Sequence, residues 1–195
     1  TTGQVFFHGR DISGFAPHRR ARLGLVRTFQ MSGEFGKLTV LENLIAAVTS
    51  PGETVSGVIL RRARWRSDLD AAIARAEDLL ARFEMTAKTD TWAGDLSGGQ
   101  KRLVEIMRAL MATPRVLLLD EPLAGVAPRL PETITDHLMR LRRAGMTMLM
   151  VEHELGAVDR CCDSVIVMAQ GRVLAEGSMR QIRANKEVID AYLIG

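Results

Sequence analysis

Two short motifs, one predicted helix apart, most constrain what this 195-residue chain can fold into. The first, Leu96–Gln100, is a glycine-rich turn that opens a helix. The second is the apolar run Val116–Leu119, which is followed at once by Asp120 and Glu121. A short, continuous apolar run is typical of a central strand covered on both faces of a parallel sheet. Because helices must cover those faces, the two motifs predict an α/β fold.

Strand-like and helix-like patterns alternate along the rest of the chain, which favours a parallel sheet with an antiparallel margin. We also expect a lobe of helices in residues 34–95, inserted into the sheet domain. One of its helices is expected to begin at Ser67, taken as an N-cap. Strands are expected at residues 3–9, 25–29, 116–119 and 146–151 and a hairpin at 165–175, with helices at 17–23, 39–48, 67–86, 100–112, 131–143 and 179–193.

Composition is that of an ordinary globular protein, with 47% hydrophobic and 25% charged residues. No apolar run approaches the roughly 18 residues needed to span a bilayer. The adjacent Cys161 and Cys162 fit a reducing compartment better than a stapling disulfide. The net charge of +3 owes much to an arginine cluster in residues 61–66. That cluster is either a solvated face or a contact for acidic headgroups or an acidic partner.

The acid pair, Asp120 and Glu121, stands where an open α/β sheet binds ligands, at the carboxyl end of a strand. Buried charge is expensive unless it is paired, so two carboxylates after an apolar strand need a reason. An aspartate there can hold Mg²⁺ directly or through water. The neighbouring glutamate can polarise an attacking water. The alternative is a solvated or helix-capping pair of charges.

The glycine-rich turn places Ser97, Gly98, Gly99 and Gln100 at the start of a helix. Free backbone N–H groups and the helix dipole make such a position an anion site, and glycines allow a phosphate to approach closely. By itself the pattern also fits a simple turn and cap. The sequence spacing of about twenty residues between this turn and the acid pair favours phosphate binding.

Two further polar residues follow predicted strands. His153 comes after residues 146–151, and an imidazole there can hydrogen-bond a terminal phosphate and orient water. Gln30 closes the strand at 25–29, and its amide oxygen can bind Mg²⁺ or water. Each residue alone would more often be structural. Their order along the chain relative to the acid pair is what favours a role in phosphate or Mg²⁺ binding.

In this order the residues resemble the nucleotide-binding subunit of ATP-binding cassette (ABC) transporters. Gln30 matches the glutamine loop, Leu96–Gln100 the family signature, and Val116–Glu121 the Walker B strand. Residues 123–128 match the D-loop and His153 the switch histidine. The likeness covers residues 1–195.

Within the family, Arg27-Thr28-Phe29-Gln30, the Ala-Gly-Val-Ala-Pro form of the D-loop, and Val188–Leu193 look like branched-chain amino acid importers. Urea-type importers and the lipopolysaccharide export ATPase share these features. The resemblance implies a P-loop NTPase-like ABC ATPase core over residues 1–195, with a helical subdomain at 34–95. It implies ATP hydrolysis that powers solute import.

The resemblance also implies cofactors, site residues and partners. ATP and Mg²⁺ are the expected cofactors, and the partners are a second ABC ATPase subunit, identical or different, and integral membrane permease subunits. The subunit would lie peripherally at the cytoplasmic face of the inner membrane. The implied catalytic residues are Glu121, His153 and Gln30, the metal ligands Asp120 and Gln30, and the nucleotide-binding residues Ser97, Gly98, Gly99, Gln100 and His153.

The family's phosphate-cradling Walker A loop, G-x-x-x-x-G-K-[ST], does not occur in the sequence. Gly36-Lys37 is not such a loop, because Met31 stands where its first glycine would be and Leu38 follows the lysine. With no initial Met either, we expect a truncated sequence. These residues alone should hydrolyse ATP weakly or not at all.

Two other functions remain open on sequence grounds. A catalytically silent partner subunit would also lack the loop, although Glu121, His153 and the signature are retained. A soluble ABC ATPase acting on nucleic acid would carry a coiled-coil insertion or a second cassette, and neither is visible. The nine aromatic residues are also too few and too scattered for base stacking, so no nucleic-acid partner is expected.

Overall fold

The computed structural model describes residues 2–28, 33, 35–48, 62–126 and 130–193. Gln30, the turn-rich stretch 50–57, Arg61 of the arginine cluster and the end of the D-loop lie outside the described residues, and of Arg62 and Arg64 only the backbone is described. The strands are β1 (Phe6–Phe7), β2 (Arg10–Asp11), β3 (Leu25–Arg27), β4 (Val116–Asp120), β5 (Thr147–Val151), β6 (Val165–Ala169) and β7 (Arg172–Gly177). The helices are α1 (Pro17–Arg22), α2 (Val40–Ile45), α3 (Arg62–Arg82), α4 (Gly98–Met111), α5 (Leu130–Arg143), α6 (Leu155–Cys161), α7 (Met179–Ala184) and α8 (Lys186–Leu193).

A parallel sheet in the order β3-β4-β5 forms the centre of the structure. Its middle strand is the predicted apolar run, and Leu117 and Leu119 of that strand are buried. In the register, Arg27 lies beside Leu118, and Asp120 beside Val151. Because parallel strands end at one edge, this register brings the segments that follow β3, β4 and β5 together.

Strand β5 differs from the expectation of a buried strand. Leu149 and Val151 are each 58% exposed. Among the described residues β5 is the edge of its sheet, so only β4 pairs with it. A groove of about 1340 Å³ separates its outer side from the β6–β7 hairpin. The groove therefore has an apolar strand on each wall, with Ile166 and Met168 exposed opposite β5.

Helices α2, α3 and α4 pack together beside the sheet. Buried Leu44, Leu80 and Ile106 from these helices share one core with Leu117 of the sheet. Helix α3 already begins at Arg62, which places Ser67 in its second turn, so the predicted N-cap at Ser67 is wrong. Arginine and alanine precede Ser67, and these strong helix formers extend the helix toward its N-terminus.

Two hairpins and the two short helices α7 and α8 lie outside the central sheet. The β6–β7 hairpin confirms its prediction, with Gln170 and Gly171 both at positive φ, as a two-residue turn requires. Residues 3–9 are not one strand, because His8 and Gly9 form a similar turn between β1 and β2. The single helix expected at 179–193 is interrupted at Asn185, whose Oδ1 accepts a hydrogen bond from Glu187 N at 2.9 Å and starts α8. Within the described ranges, every helix is too short or too polar to cross a bilayer.

Candidate functional site

Asp120 ends the central strand and forms an ion pair with the residue that ends the neighbouring one. Its Oδ2 lies 2.6 Å from an Arg27 guanidinium nitrogen, and 23% of the Asp120 side chain is exposed. The backbone N–H of Asp120 donates to Thr28 Oγ1 at 3.3 Å. The aspartate is therefore held at the sheet edge and remains open to solvent. Sequence reasoning gave Arg27 no role at this site.

Glu121 turns the chain out of β4 with an unusual backbone. Its φ is +44°, a conformation that non-glycine residues seldom adopt and that costs on the order of 1 kcal/mol. Its N–H donates to Val151 O at 2.9 Å, the last residue of β5. Strain at a strand end is maintained only where surrounding contacts over-determine it. The hydrogen bond to β5 is one such contact.

His153 lies two residues beyond β5, in the turn before α6. Its imidazole is 76% exposed. Because Val151 pairs with Asp120, the histidine turn and the acid pair share one edge of the sheet. Of the four groups predicted to meet here, the structure brings the elements of Asp120, Glu121 and His153 together, whereas Gln30 lies outside the described residues. The chemical roles of all four stay predictions.

Glu152 is a member of this edge that sequence reasoning missed. Its side chain is fully buried, although Val151 and His153 on either side of it are exposed. Its carboxylate accepts a hydrogen bond from Leu123 N at 2.8 Å and another from His153 N at 3.1 Å. The sequence did contain a signal, because Glu152 directly follows an apolar strand, as the acid pair at Asp120 does.

The signature turn caps α4 with its own side chains. Ser97 Oγ accepts from Gln100 N at 3.4 Å, and Gln100 Oε1 accepts from Ser97 N at 3.0 Å, which is a capping box. A Cβ placed on Gly98 would lie 3.3 Å from Gly125 O, so the glycine permits close contact with the D-loop. Gly99 is buried. The structure thus shows a cap at these residues, and their contact with nucleotide stays a prediction.

The acid edge offers a carboxylate that could bind a magnesium ion together with nucleotide phosphates. The described residues contain no group of three or more histidine, cysteine, aspartate or glutamate side chains arranged to hold a metal. Mg²⁺ commonly binds one or two carboxylates together with substrate phosphates and water. The partly exposed carboxylate of Asp120 is compatible with that mode of binding.

Comparison with known proteins decides the family. Residues 1–124 match the family model described as ABC transporter, and residues 172–193 match the model described as branched-chain amino acid ATP-binding cassette transporter. This chain belongs to the ABC transporter family, in its branched-chain amino acid subfamily. The resemblance read from the motifs is confirmed, as is the predicted fold class of an ABC ATPase core.

Relatives and solved structures agree with the family models. The probable branched-chain amino acid transport ATP-binding protein LivG of Archaeoglobus fulgidus is 39% identical, over 98% of this chain and 74% of that protein. The high-affinity branched-chain amino acid transport ATP-binding protein BraF of Pseudomonas aeruginosa is 37% identical, over 99% of this chain and 76% of that protein. A nucleotide-free ATP-binding cassette from an ABC transporter is 35% identical and superimposes with a TM-score of 0.81, over 98% of this chain and 77% of that one.

Proposed function

We propose that this chain is the ATP-hydrolysing subunit of an importer for branched-chain amino acids or a similar small polar solute. The observation that carries the proposal is the pairing of Asp120 with Val151, which places the acid pair and the His153 turn at one sheet edge. The names of the relatives supply the solute class. The second ATPase subunit, the permease subunits and the peripheral position at the cytoplasmic membrane face belong to the same proposal.

Each residue at the edge receives a distinct task in this proposal. Asp120 would hold Mg²⁺, which neutralises charge on the nucleotide phosphates. Glu121 would accept a proton from the attacking water, and His153 would hydrogen-bond the terminal phosphate. Gln30 would supply a further oxygen ligand to Mg²⁺ through its side-chain amide and would also take part in catalysis. Catalysis of this kind depends mainly on positioning and electrostatic stabilisation.

The signature turn would serve the other subunit of a head-to-tail dimer. Helix α4 has 14 residues, and its N-terminal N–H groups and dipole favour an anion. Ser97, Gly98, Gly99 and Gln100 would therefore contact ATP bound mainly by the second subunit. Residues 34–95 would form the helical subdomain, and residues 39–48 would contact the permease.

The groove beside β5 is compatible with a further strand leading to the absent Walker A loop. Two apolar strand faces line it, one with Leu149 and Val151, the other with Ile166 and Met168. A strand inserted there would pair with β5 and end at the same edge as Asp120. We therefore propose that the Walker A loop lies at the end of this groove that is nearest Asp120. Without that loop, these 195 residues alone should hydrolyse ATP weakly or not at all.

Glu121→Gln tests the proposal in the complete natural subunit with its permease. Loss of the general base should lower ATP turnover by about 10²- to 10⁴-fold. In the complete subunit without the permease, ATP-bound dimers of this variant should accumulate on a sizing column. Glu77→Gln, at an exposed position of α3, is the matched control and should keep full turnover. Unchanged turnover in Glu121→Gln would remove Glu121 from its role, and no turnover in the unmodified complex would favour a catalytically silent subunit.

A further inference from the structure

The carboxylate of Glu152 joins the two segments that carry the predicted catalytic groups. Oε1 accepts a hydrogen bond from Leu123 N at 2.8 Å, two residues after Glu121. Oε2 accepts from His153 N at 3.1 Å and from Glu154 N at 3.4 Å. One buried carboxylate therefore bonds the acid turn on one side and the histidine turn on the other.

Burial of a carboxylate is unfavourable unless hydrogen bonds replace its water. Glu152 has no exposed side-chain surface, and three backbone N–H groups replace that water. Hydrogen bonds to an ionised acceptor are about twice as strong as neutral ones. An apolar residue would fill the same space without this requirement. The carboxylate is thus explained by the bonds it makes between segments.

A second bond completes the connection. The N–H of Glu121 donates to Val151 O at 2.9 Å, so the acid turn is tied to the end of β5 at two points. With Glu152 Oε1 on Leu123 N, these bonds fix the backbone on both sides of Pro122. They also hold Glu121 in its positive-φ conformation.

We propose that Glu152 is a positioning residue for ATP hydrolysis, setting the separation of Glu121 and His153 without touching the nucleotide. The inference rests on the function proposed above. Small misplacements of catalytic groups can lower a rate by up to about 100-fold without preventing substrate binding. Loss of the bridge should therefore act on kcat rather than on KM.

Glu152→Gln in the complete transporter tests the proposal. Glutamine has the same size and can still accept from Leu123 N, but its NH₂ faces the N–H groups of His153 and Glu154. We expect kcat to fall about tenfold, while the KM for ATP changes less than twofold. Glu152→Ala should lower kcat further. Glu77→Gln is the matched control. Rates are expressed per nucleotide-binding site, so that partly unfolded protein does not count.

The outcomes separate this inference from the proposed function. If the unmodified transporter hydrolyses ATP and Glu152→Gln keeps kcat within twofold, the positioning role is wrong while the function stands. A raised KM with unchanged kcat would likewise overturn it. If the unmodified transporter does not hydrolyse ATP, both proposals fail. Should Glu152→Ala not fold, the isosteric Glu152→Gln variant still decides.

Discussion

The guanidinium of Arg27 lies 2.6 Å from the carboxylate of Asp120 and so joins the ends of β3 and β4. The Arg27 side chain is 59% exposed, and exposed ion pairs contribute at most about 1 kcal/mol to stability. The Arg27–Asp120 ion pair matters more for metal binding by Asp120 than for the stability of the fold. A positive group next to a proposed magnesium ligand competes for the same oxygen.

Arg27→Gln should lower the Mg²⁺ concentration that half-activates ATP hydrolysis by about three- to fivefold. In water a divalent ion and a unit charge a few ångströms apart repel by roughly 2 kcal/mol, and salt screening at this exposed site reduces the repulsion to about 1 kcal/mol, which corresponds to that factor. The measurement is a magnesium titration of ATPase rate in the complete transporter. Arg22→Gln, exposed on α1, should leave the titration unchanged. A higher magnesium requirement in Arg27→Gln would show that Arg27 assists binding.

Ser97→Ala should destabilise the protein and also weaken the dimer. Removing the serine cap of α4 lowers the free energy of unfolding by about 1 kcal/mol, which for a domain of this size lowers Tm by roughly 2–4 °C. Ser178→Ala is a matched control, since Ser178 caps α7 in the same way. Both should melt earlier, but only Ser97→Ala should reduce ATP-dependent dimerisation. Equal dimerisation in the two variants would restrict Ser97 to capping.

Stability should fall with decreasing pH because of His137. This imidazole is buried and stacks on Phe83 at 4.7 Å between ring centroids. Burial, together with nearby Arg140, lowers the pKa of His137, while Glu84 and Asp136 act in the opposite direction. The unfolded chain thus binds the proton first, and stability is lost as pH falls below about 6.5, the unfolded pKa.

His137→Phe tests that dependence, since it removes the titrating group and keeps an aromatic ring beside Phe83. Urea unfolding between pH 7.5 and 5.5 should show a smaller loss of stability than in the unmodified protein. Phe6→Leu, at an exposed aromatic position on β1, is the control and should leave the pH dependence of stability unchanged. An identical pH slope in His137→Phe would assign the acid sensitivity to other groups.

Cys161 should be almost unreactive while the protein is folded. Burial raises the pKa of its thiol to about 11, with neighbouring Cys162 adding to the effect. Thiolate is the reactive form, and at pH 7 it makes up only about one part in 10⁴ of such a thiol. Iodoacetamide labelling followed by mass spectrometry should modify Cys161 only after denaturant is added. Rapid labelling of the folded protein would contradict its burial.

The central elements were predictable because their patterns are local. Val116–Leu119 reads as a strand from its own residues, and the cap at Ser97 is visible from Gln100 three positions later. The start of α3 was missed because Ser67 fits a cap rule, whereas the preceding residues favour helix more strongly. The N-cap preference of the single residue Ser67 was outweighed by the summed helix propensity of the residues before it.

Other properties depend on contacts between distant segments. The motif order alone predicted that Asp120 and His153 share an edge, since parallel strands end together. No local pattern gives the bond from Glu152 to Leu123, because it joins residues 29 apart. Likewise, the exposure of β5 follows from which strands lie beside it rather than from its own apolar residues.

Within the described part of the chain, no strand pairs with the outer edge of β5, and this bears on how the polypeptide should be handled. An extended strand with outward-facing Leu149 and Val151 is a template on which other molecules can stack their own strands. Preparations of these 195 residues by themselves should therefore precipitate as concentration rises, and fuse into sheet-rich deposits on warming. A lysine in place of Val151 would repel such stacking and keep the material dispersed.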